Sequence, residues 1–370
     1  MRNSLLLLRA TLLLGTLAAF NLEGPKAEAA LLIGNTRGNN VVTFSERTGQ
    51  FLGDFIAPGS GGLVDPDDLT FGPDGNLYVS SGKTAASSAI LRFNAKTGQF
   101  IDVFASGGGL FRPYGSAFGP DGNLYVSSFL SDQILRYDGT TGAFLDVFAA
   151  GNGLAGGLNG PNDLLFGSDG SLYVTTQGSI AVNGTATFPG LPSQVLRFDI
   201  ATKNSTVFIE QPSPSPDSFG FVSFLGLAFG PRGDLFVSDF ANDIRRYDLS
   251  TASLVDTLST NYTNTIPSSN FVGNLTFGAS NLLYTVGFDN SPTGGELGAI
   301  LRYDSTTGAP LPSLGNAGPI FVPTNDKLLR PIGIAYLPTS VPEPASILGF
   351  LVLGALGLFA ELKRERKPAE

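Results

Sequence analysis

The chain has 370 residues, a formal net charge of -9, 14% charged residues and neither histidine nor cysteine. Ser-His-Asp catalysis, His-ligated zinc, imidazole acid/base work and cysteine nucleophiles are therefore excluded, as is any disulfide. The acidic balance turns the protein away from nucleic acid and toward cations or neutral glycans.

The first 29 residues predict a signal peptide. Arg2 and Arg9 bracket Leu5-Leu6-Leu7-Leu8, Leu12-Leu13-Leu14 follows, and Ala27-Glu28-Ala29 supplies an A-x-A pattern with cleavage expected after Ala29. Such a segment addresses the chain to the Sec export machinery. Residues 30–338 then form one exported domain, long enough to bury a core without disulfides.

That domain is a repeat. Phe71-Gly72-Pro73-Asp74-Gly75-Asn76-Leu77-Tyr78-Val79-Ser80-Ser81 returns almost unchanged from Phe118 to Ser128, and weaker copies begin at Phe166, Phe229 and Phe277. The intervals are about 47, 48, 63 and 48 residues, the period of propeller blades. A second signature follows in each copy: Leu91-Arg92-Phe93-Asn94, Leu135-Arg136-Tyr137-Asp138, Leu196-Arg197-Phe198-Asp199, Arg245-Arg246-Tyr247-Asp248 and Leu301-Arg302-Tyr303-Asp304. Each unit predicts four short strands, A to D. A ends at Phe-Gly, B is Leu-Tyr-Val-Ser, C carries Leu-Arg-Tyr-Asp and D is of the Phe-Leu-Asp-Val-Phe type. Pro-Asp-Gly-Asn and Thr-Gly supply tight turns, because Gly and Asn tolerate positive φ. The Arg and Asp of strand C recur at one place per blade, which points to structural pairing, and Asp74-Gly75-Asn76 and Asp121-Gly122-Asn123 are read as turns instead of calcium loops.

Five copies leave two remainders. Residues 31 to 58 lack a strand A, and Pro331-Ile332-Gly333-Ile334-Ala335-Tyr336 is a strand A without a blade. Pairing them closes the ring and removes its open edge, so the expected fold is an all-β, six-bladed β-propeller. The pattern at Pro113-Tyr114-Gly115-Ser116-Ala117-Phe118-Gly119 and onward resembles the NHL-repeat and gluconolactonase-like six-bladed propellers, over most of the exported domain.

Because strands alternate in direction, the A-to-B and C-to-D turns share one face and are expected to be short. The B-to-C and D-to-A connections share the other and carry the insertions Gln177 to Ser193, Gln211 to Ser223, Asn261 to Asn270 and Gly287 to Gly298. That face is the expected binding face. On the inner strands, three residues before each strand-A aromatic, stand Asp68, Gly115, Asp163, Gly226, Asn274 and Gly333. One position earlier lie Asp67 and Asn162, which match positions that supply metal ligands in the gluconolactonase-like family, while Tyr114, Leu225, Gly273 and Ile332 hold the other equivalent places. Asp67, Asp68, Asn162, Asp163 and Asn274 are thus candidate ligands for a hard cation such as Ca2+. The alternative is that they bond strand termini and channel water.

The last segment is a tail, residues 339–370. Val341-Pro342-Glu343-Pro344 precedes an apolar run of about 14 residues, expected to cross a membrane over about 346–361, and the basic cluster Lys363, Arg364, Arg366 and Lys367 obeys the positive-inside rule. At about 1.5 Å per residue the run spans about 21 Å against a hydrocarbon core of roughly 30 Å. The tail resembles the PEP-CTERM sorting signal, which implies a membrane-embedded exosortase cutting near Pro-Glu-Pro; an ordinary single-pass anchor is the alternative. Three functions are open on these grounds. One is a non-catalytic protein, anchored transiently in the inner membrane and then placed at the cell surface or in the extracellular matrix, that binds a polysaccharide or a surface protein. The others are a Ca2+-dependent, gluconolactonase-like hydrolase and a purely structural matrix component.

Overall fold

The structure is a computed structural model that describes residues 29–338, Asn242 excepted. Ala27, the motif Val341, Pro342, Glu343 and Pro344, the expected membrane span and the basic cluster lie outside those residues. Ala29 is described: it sits immediately before the first strand and its carbonyl accepts the Glu46 N–H at 3.0 Å. Among the described residues no helix is long and apolar enough to cross a membrane.

The first strands, β1 (Ala30–Asn35), β2 (Asn40–Ser45) and β3 (Phe51–Ile56), wait for a partner from the other end of the chain. Five complete antiparallel sheets follow: β4 to β7 (Leu69–Phe71, Leu77–Ser81, Ala89–Phe93, Phe100–Ser106), then β8 to β11 (Pro113–Phe118, Leu124–Ser128, Gln133–Tyr137, Phe144–Ala150). The third blade is β12 (Pro161–Phe166), β13 (Leu172–Thr176), β16 (Val195–Phe198) and β17 (Ser205–Ile209), with the hairpin β14 (Ile180–Val182) and β15 (Thr185–Thr187) inserted between its second and third strands. The fourth holds β18 (Phe224–Phe229), β19 (Asp234–Asp239), β20 (Asp243–Asp248) and β21 (Leu254–Leu258). The fifth holds β22 (Asn270–Phe277), β23 (Leu282–Asp289), β24 (Leu297–Asp304) and β25 (Ile320–Leu329). The last strand, β26 (Pro331–Leu337), pairs antiparallel with β1, Leu31 opposite Tyr336 and Ile33 opposite Ile334, and completes a sixth sheet in the order β26-β1-β2-β3. The expected six-bladed, end-closed ring is the observed one.

The repeat has a packing reason. The strand-B aromatic of one blade meets the strand-A phenylalanine of the next: Tyr78 with Phe118 at 4.9 Å, Tyr125 with Phe166 at 5.1 Å, Tyr173 with Phe229 at 5.6 Å and Phe236 with Phe277 at 5.5 Å, all edge-on. Each such pair contributes roughly 0.5–1.5 kcal/mol beyond its buried area. The Pro-Asp-Gly-Asn segments are turns, as expected: Asp74 Oδ1 accepts the Asn76 N–H at 3.0 Å, and Tyr78 donates its hydroxyl to Asp74 Oδ2 at 3.1 Å. The strand-C arginines pair within their blades, Arg92 with Asp102 at 2.5 Å and Arg136 with Asp146 at 2.7 Å. In the Arg245-Arg246 pair only Arg246 takes that place, at 2.6 Å from Asp234; Arg245 is buried against Asp243 and Asp239.

Two expectations about connections need correction. The strand-C to strand-D turns are not uniformly short: β24 and β25 are separated by Ser305 to Pro319. The chain makes the usual Thr-Gly turn, with Asp304 Oδ1 accepting the Thr306 and Thr307 N–H groups, and then makes a second excursion before Arg302 N–H bonds Pro319 O at 2.8 Å. Conversely, the insertion drawn from Gly287 to Gly298 is shorter than expected, confined to Asn290 to Glu296, because β23 continues to Asp289 and β24 begins at Leu297.

Candidate binding cavity at the channel mouth

Inner strands carry a bulge where the candidate residues sit. The register slips between Pro113 and Ser116, Pro161 and Leu164, Phe224 and Leu227, and Val272 and Leu275. A bulge takes a residue out of the ladder and re-aims it. The freed N–H groups are taken by strand-B hydroxyls: Asp68 by Ser80, Gly115 by Ser127, Asp163 by Thr175 and Gly226 by Ser238, at 2.8–2.9 Å. This is why the residue after the strand-B valine is Ser or Thr in blades one to four.

Alternation of glycine with acid or amide around the ring is a matter of closeness. A Cβ on Gly115 would lie 2.6 Å from Asn162 O and 2.7 Å from Asp163 Cα; one on Gly226 would lie 2.9 Å from Asn274 Cα, and one on Gly333 3.1 Å from Asp67 O. Blades two, four and six thus give way where blades three, five and one press in.

Above this ring, on the face of the strand-B to strand-C and strand-D to strand-A connections, opens a cavity of about 770 Å³. Asp67, Asn162, Asp163 and Asn274 line it; Asp68 does not. Its carboxylate accepts from Ser116 Oγ at 2.7 Å and Thr70 Oγ1 at 3.1 Å. Asp163 is held by two backbone N–H groups, Leu164 at 2.8 Å and Leu227 at 2.7 Å. Asp67 accepts from Thr36 Oγ1 at 3.0 Å and faces Arg112 at 3.5 Å. Burial pushes Asp67 up to about 6 against the opposing pull of Arg112. Burial also raises Asp68 and Asp163, and the nearby Asp68 charge raises Asp163 further. Asn162 and Asn274 are buried, and their Oδ1 atoms have no partner.

These residues meet a hard cation only in part. Among the described residues no three His, Cys, Asp or Glu side chains gather as a metal group. The two unpartnered oxygens are neutral amides, whereas Ca2+ takes about 6–8 oxygen ligands.

The walls come from two insertions. The Gln177 to Ser193 loop folds as the β14–β15 hairpin, tied down where Ala181 N–H bonds Asp132 Oδ2 at 2.6 Å, and brings Phe188 to the rim. The Gln211 to Ser223 loop is held where Arg245 Nη2 donates to Ser213 O at 3.1 Å and Ser215 donates to Asp243, and brings Phe221. Phe221 is 44% exposed. Behind it Phe219, Phe271 and Phe240 stack, with Phe240 and Phe271 at 4.4 Å and 7°. Arg112, Tyr114 and Arg330 complete the opposite wall. The phenylalanines and both arginines escaped the sequence reading, although one signal for the arginines was present: both immediately precede the proline that opens an inner strand.

No family model matches the chain, and no curated protein matches it. Solved structures do. A chain of a nidogen/laminin complex overlaps 85% of this chain and 100% of its own length at TM-score 0.57 and 14% identity. A Bacteroides caccae protein of unknown function overlaps 84% and 99% at TM-score 0.54 and 15% identity. A virginiamycin B lyase from Staphylococcus aureus overlaps 83% and 79% at TM-score 0.42 and 16% identity. At such identities the likeness bears on the propeller fold alone.

Proposed function

We propose that the protein is an exported, non-catalytic propeller module that binds a saccharide in the cavity at its channel mouth. The carrying observation is the pairing, in one cavity of about 770 Å³, of a stacked phenylalanine wall with polar groups at its floor. Pockets of roughly 300–1,000 Å³ suit small ligands. A pyranose has apolar C–H faces that lie on aromatic rings and hydroxyls that meet amide and carboxylate oxygens, which are the two surfaces offered by Phe221 and by Asn162, Asn274 and Asp163. Anchored insertion loops keep this surface formed in advance, which lowers the ordering cost of binding. Export is supported by Ala27-Glu28-Ala29 after its leucine run. Sorting by an exosortase to the surface or matrix is supported by Val341 to Pro344 with the basic residues that follow.

The experiment is a glycan array and titration with the full-length protein beside Phe221→Ala. Binding to a saccharide that weakens about tenfold or more on loss of the ring, roughly 1.4 kcal/mol, is expected. Retention of a protein instead, or no ligand at all, would replace this reading by a protein-binding or a purely structural matrix role.

A second reading, the Ca2+-dependent lactonase-like hydrolase, is supported by the unpartnered Oδ1 atoms of Asn162 and Asn274 beside Asp163. Unchanged thermal stability across added Ca2+ and chelator would remove it, since a bound ion stabilises the fold it binds.

A further inference from the structure

Three inner strands, β8, β12 and β26, open on a proline, a fourth proline, Pro66, leads into β4, and the residue ahead of each proline has a left-handed backbone: Asp65 (φ +49), Arg112 (φ +55), Gly160 (φ +62) and Arg330 (φ +49). An L side chain is strained there, and a following proline pushes its predecessor toward extended backbone. Blade three takes the unstrained solution, Gly160. Blades six, one and two, neighbours around the ring, place Arg330, Asp65 and Arg112 instead. Strain of this kind persists where the side chain is put to use.

The three side chains converge. Arg112 Nη1 lies 3.3 Å from Asp65 Oδ2, its Nη2 lies 3.5 Å from Asp67 Oδ2, and its Nε donates to the Tyr114 hydroxyl at 2.9 Å. Arg112 and Arg330 line both the main cavity and an adjoining recess of about 320 Å³ that also holds Arg37, Lys83 and Asp65. Arg112 is committed to its carboxylates, but Arg330 is not. Its guanidinium lies 5.3 Å over the Phe288 ring and 4.0 Å from Glu296, which already pairs with Arg37. An arginine so held beside an aromatic-walled cavity presents a planar fork suited to a carboxylate.

We infer that the ligand is an anionic saccharide, a uronic-acid glycan, whose ring rests on Phe221 and whose carboxylate is bound by Arg330 with Arg112 behind it. This rests on the saccharide reading above. In a protein of net charge -9 the four cations Arg37, Lys83, Arg112 and Arg330 outnumber the carboxylates that face them, Asp65, Asp67 and Glu296, so the site attracts an anion that the rest of the surface repels.

The test titrates full-length protein at low salt with trisaccharides of galacturonate, glucuronate and mannuronate, each beside its carboxyl-reduced neutral counterpart. At least one uronate is expected to bind about tenfold or more tightly than its neutral form. Arg330→Gly should erase that preference, bringing uronate binding down to that of the neutral form measured on the same variant; because glycine is at ease at this φ, the fold should hold, which a melting curve on Arg330→Gly and on Arg330→Gln checks. Equal binding of uronate and neutral forms, or a preference that survives both substitutions, overturns the anionic specificity while the saccharide reading stands. Binding of neither form removes both.

Discussion

Adding a single methyl group at Gly115 tests how the ring is built. Its backbone is outside the left-handed region, so alanine brings no conformational strain, only its Cβ, at 2.6 Å from Asn162 O and 2.7 Å from Asp163 Cα. Contacts under 3.0 Å cannot stand, so β8 and β12 must part by several tenths of an ångström, at the place where Asp163 holds the Leu164 and Leu227 N–H groups. Overpacking of this size costs about 1–3 kcal/mol, against about 0.4–1 kcal/mol regained because alanine has fewer unfolded conformations than glycine. At about 2.1 cal/mol/K of unfolding entropy per residue over roughly 310 residues, each kcal/mol is about 1.5 °C, so the net loss of up to about 2.6 kcal/mol should lower the melting temperature by up to about 4 °C. Gly226→Ala, with its nearest atom at 2.9 Å, should fall less, and Gly333→Ala, at 3.1 Å, should be close to neutral. Thermal and urea unfolding of the three variants gives the order. If Gly115→Ala is as stable as Gly333→Ala, close approach is not the reason for the alternation.

The Asp163→Asn variant should show a pH signature. The folded state raises this carboxyl from 3.8 to about 8, so ionising it weakens the fold progressively as pH rises through that window; the stability of the variant relative to the parent should become more favourable from pH 5 to pH 9, and a flat difference would show that Asp163 ionises without penalty. Closure of the ring is tested at Ile334, buried opposite Ile33: Ile334→Ala should cost about 2–5 kcal/mol in urea unfolding, whereas Ile101→Ala, on an exposed outer strand, should stay within about 0.5 kcal/mol, and equal effects would contradict the end-to-end closure.

Much of this architecture was legible because it is local and repeated. The 47- and 48-residue spacings, the Pro-Asp-Gly-Asn turns and the orphan strand from Pro331 to Tyr336 each follow from short-range chemistry copied along the chain, and together they leave one closed arrangement. The in-blade pairing of Arg92 and Arg136 was legible for the same reason. Where the repeat breaks, so did the reading: the Ser305 to Pro319 excursion and the extended β23–β24 pair carry no copy elsewhere against which to align them.

The sequence alone settled the ring, the number of blades, the end that closes it and the face that bears the insertions. It also brought Asp67, Asn162, Asp163 and Asn274 to notice, since their offset from the strand-A aromatic is a fixed count. Only the tertiary structure decided that Asp68 turns away from the cavity, that glycine alternates because neighbouring strands touch, and that Phe221 and Phe188 form walls. It alone brought Arg330 and Arg112 to one mouth from positions more than two hundred residues apart. Strand geometry is written in neighbours two residues apart, whereas a binding cavity is made where six blades meet, and that meeting has no expression along the chain.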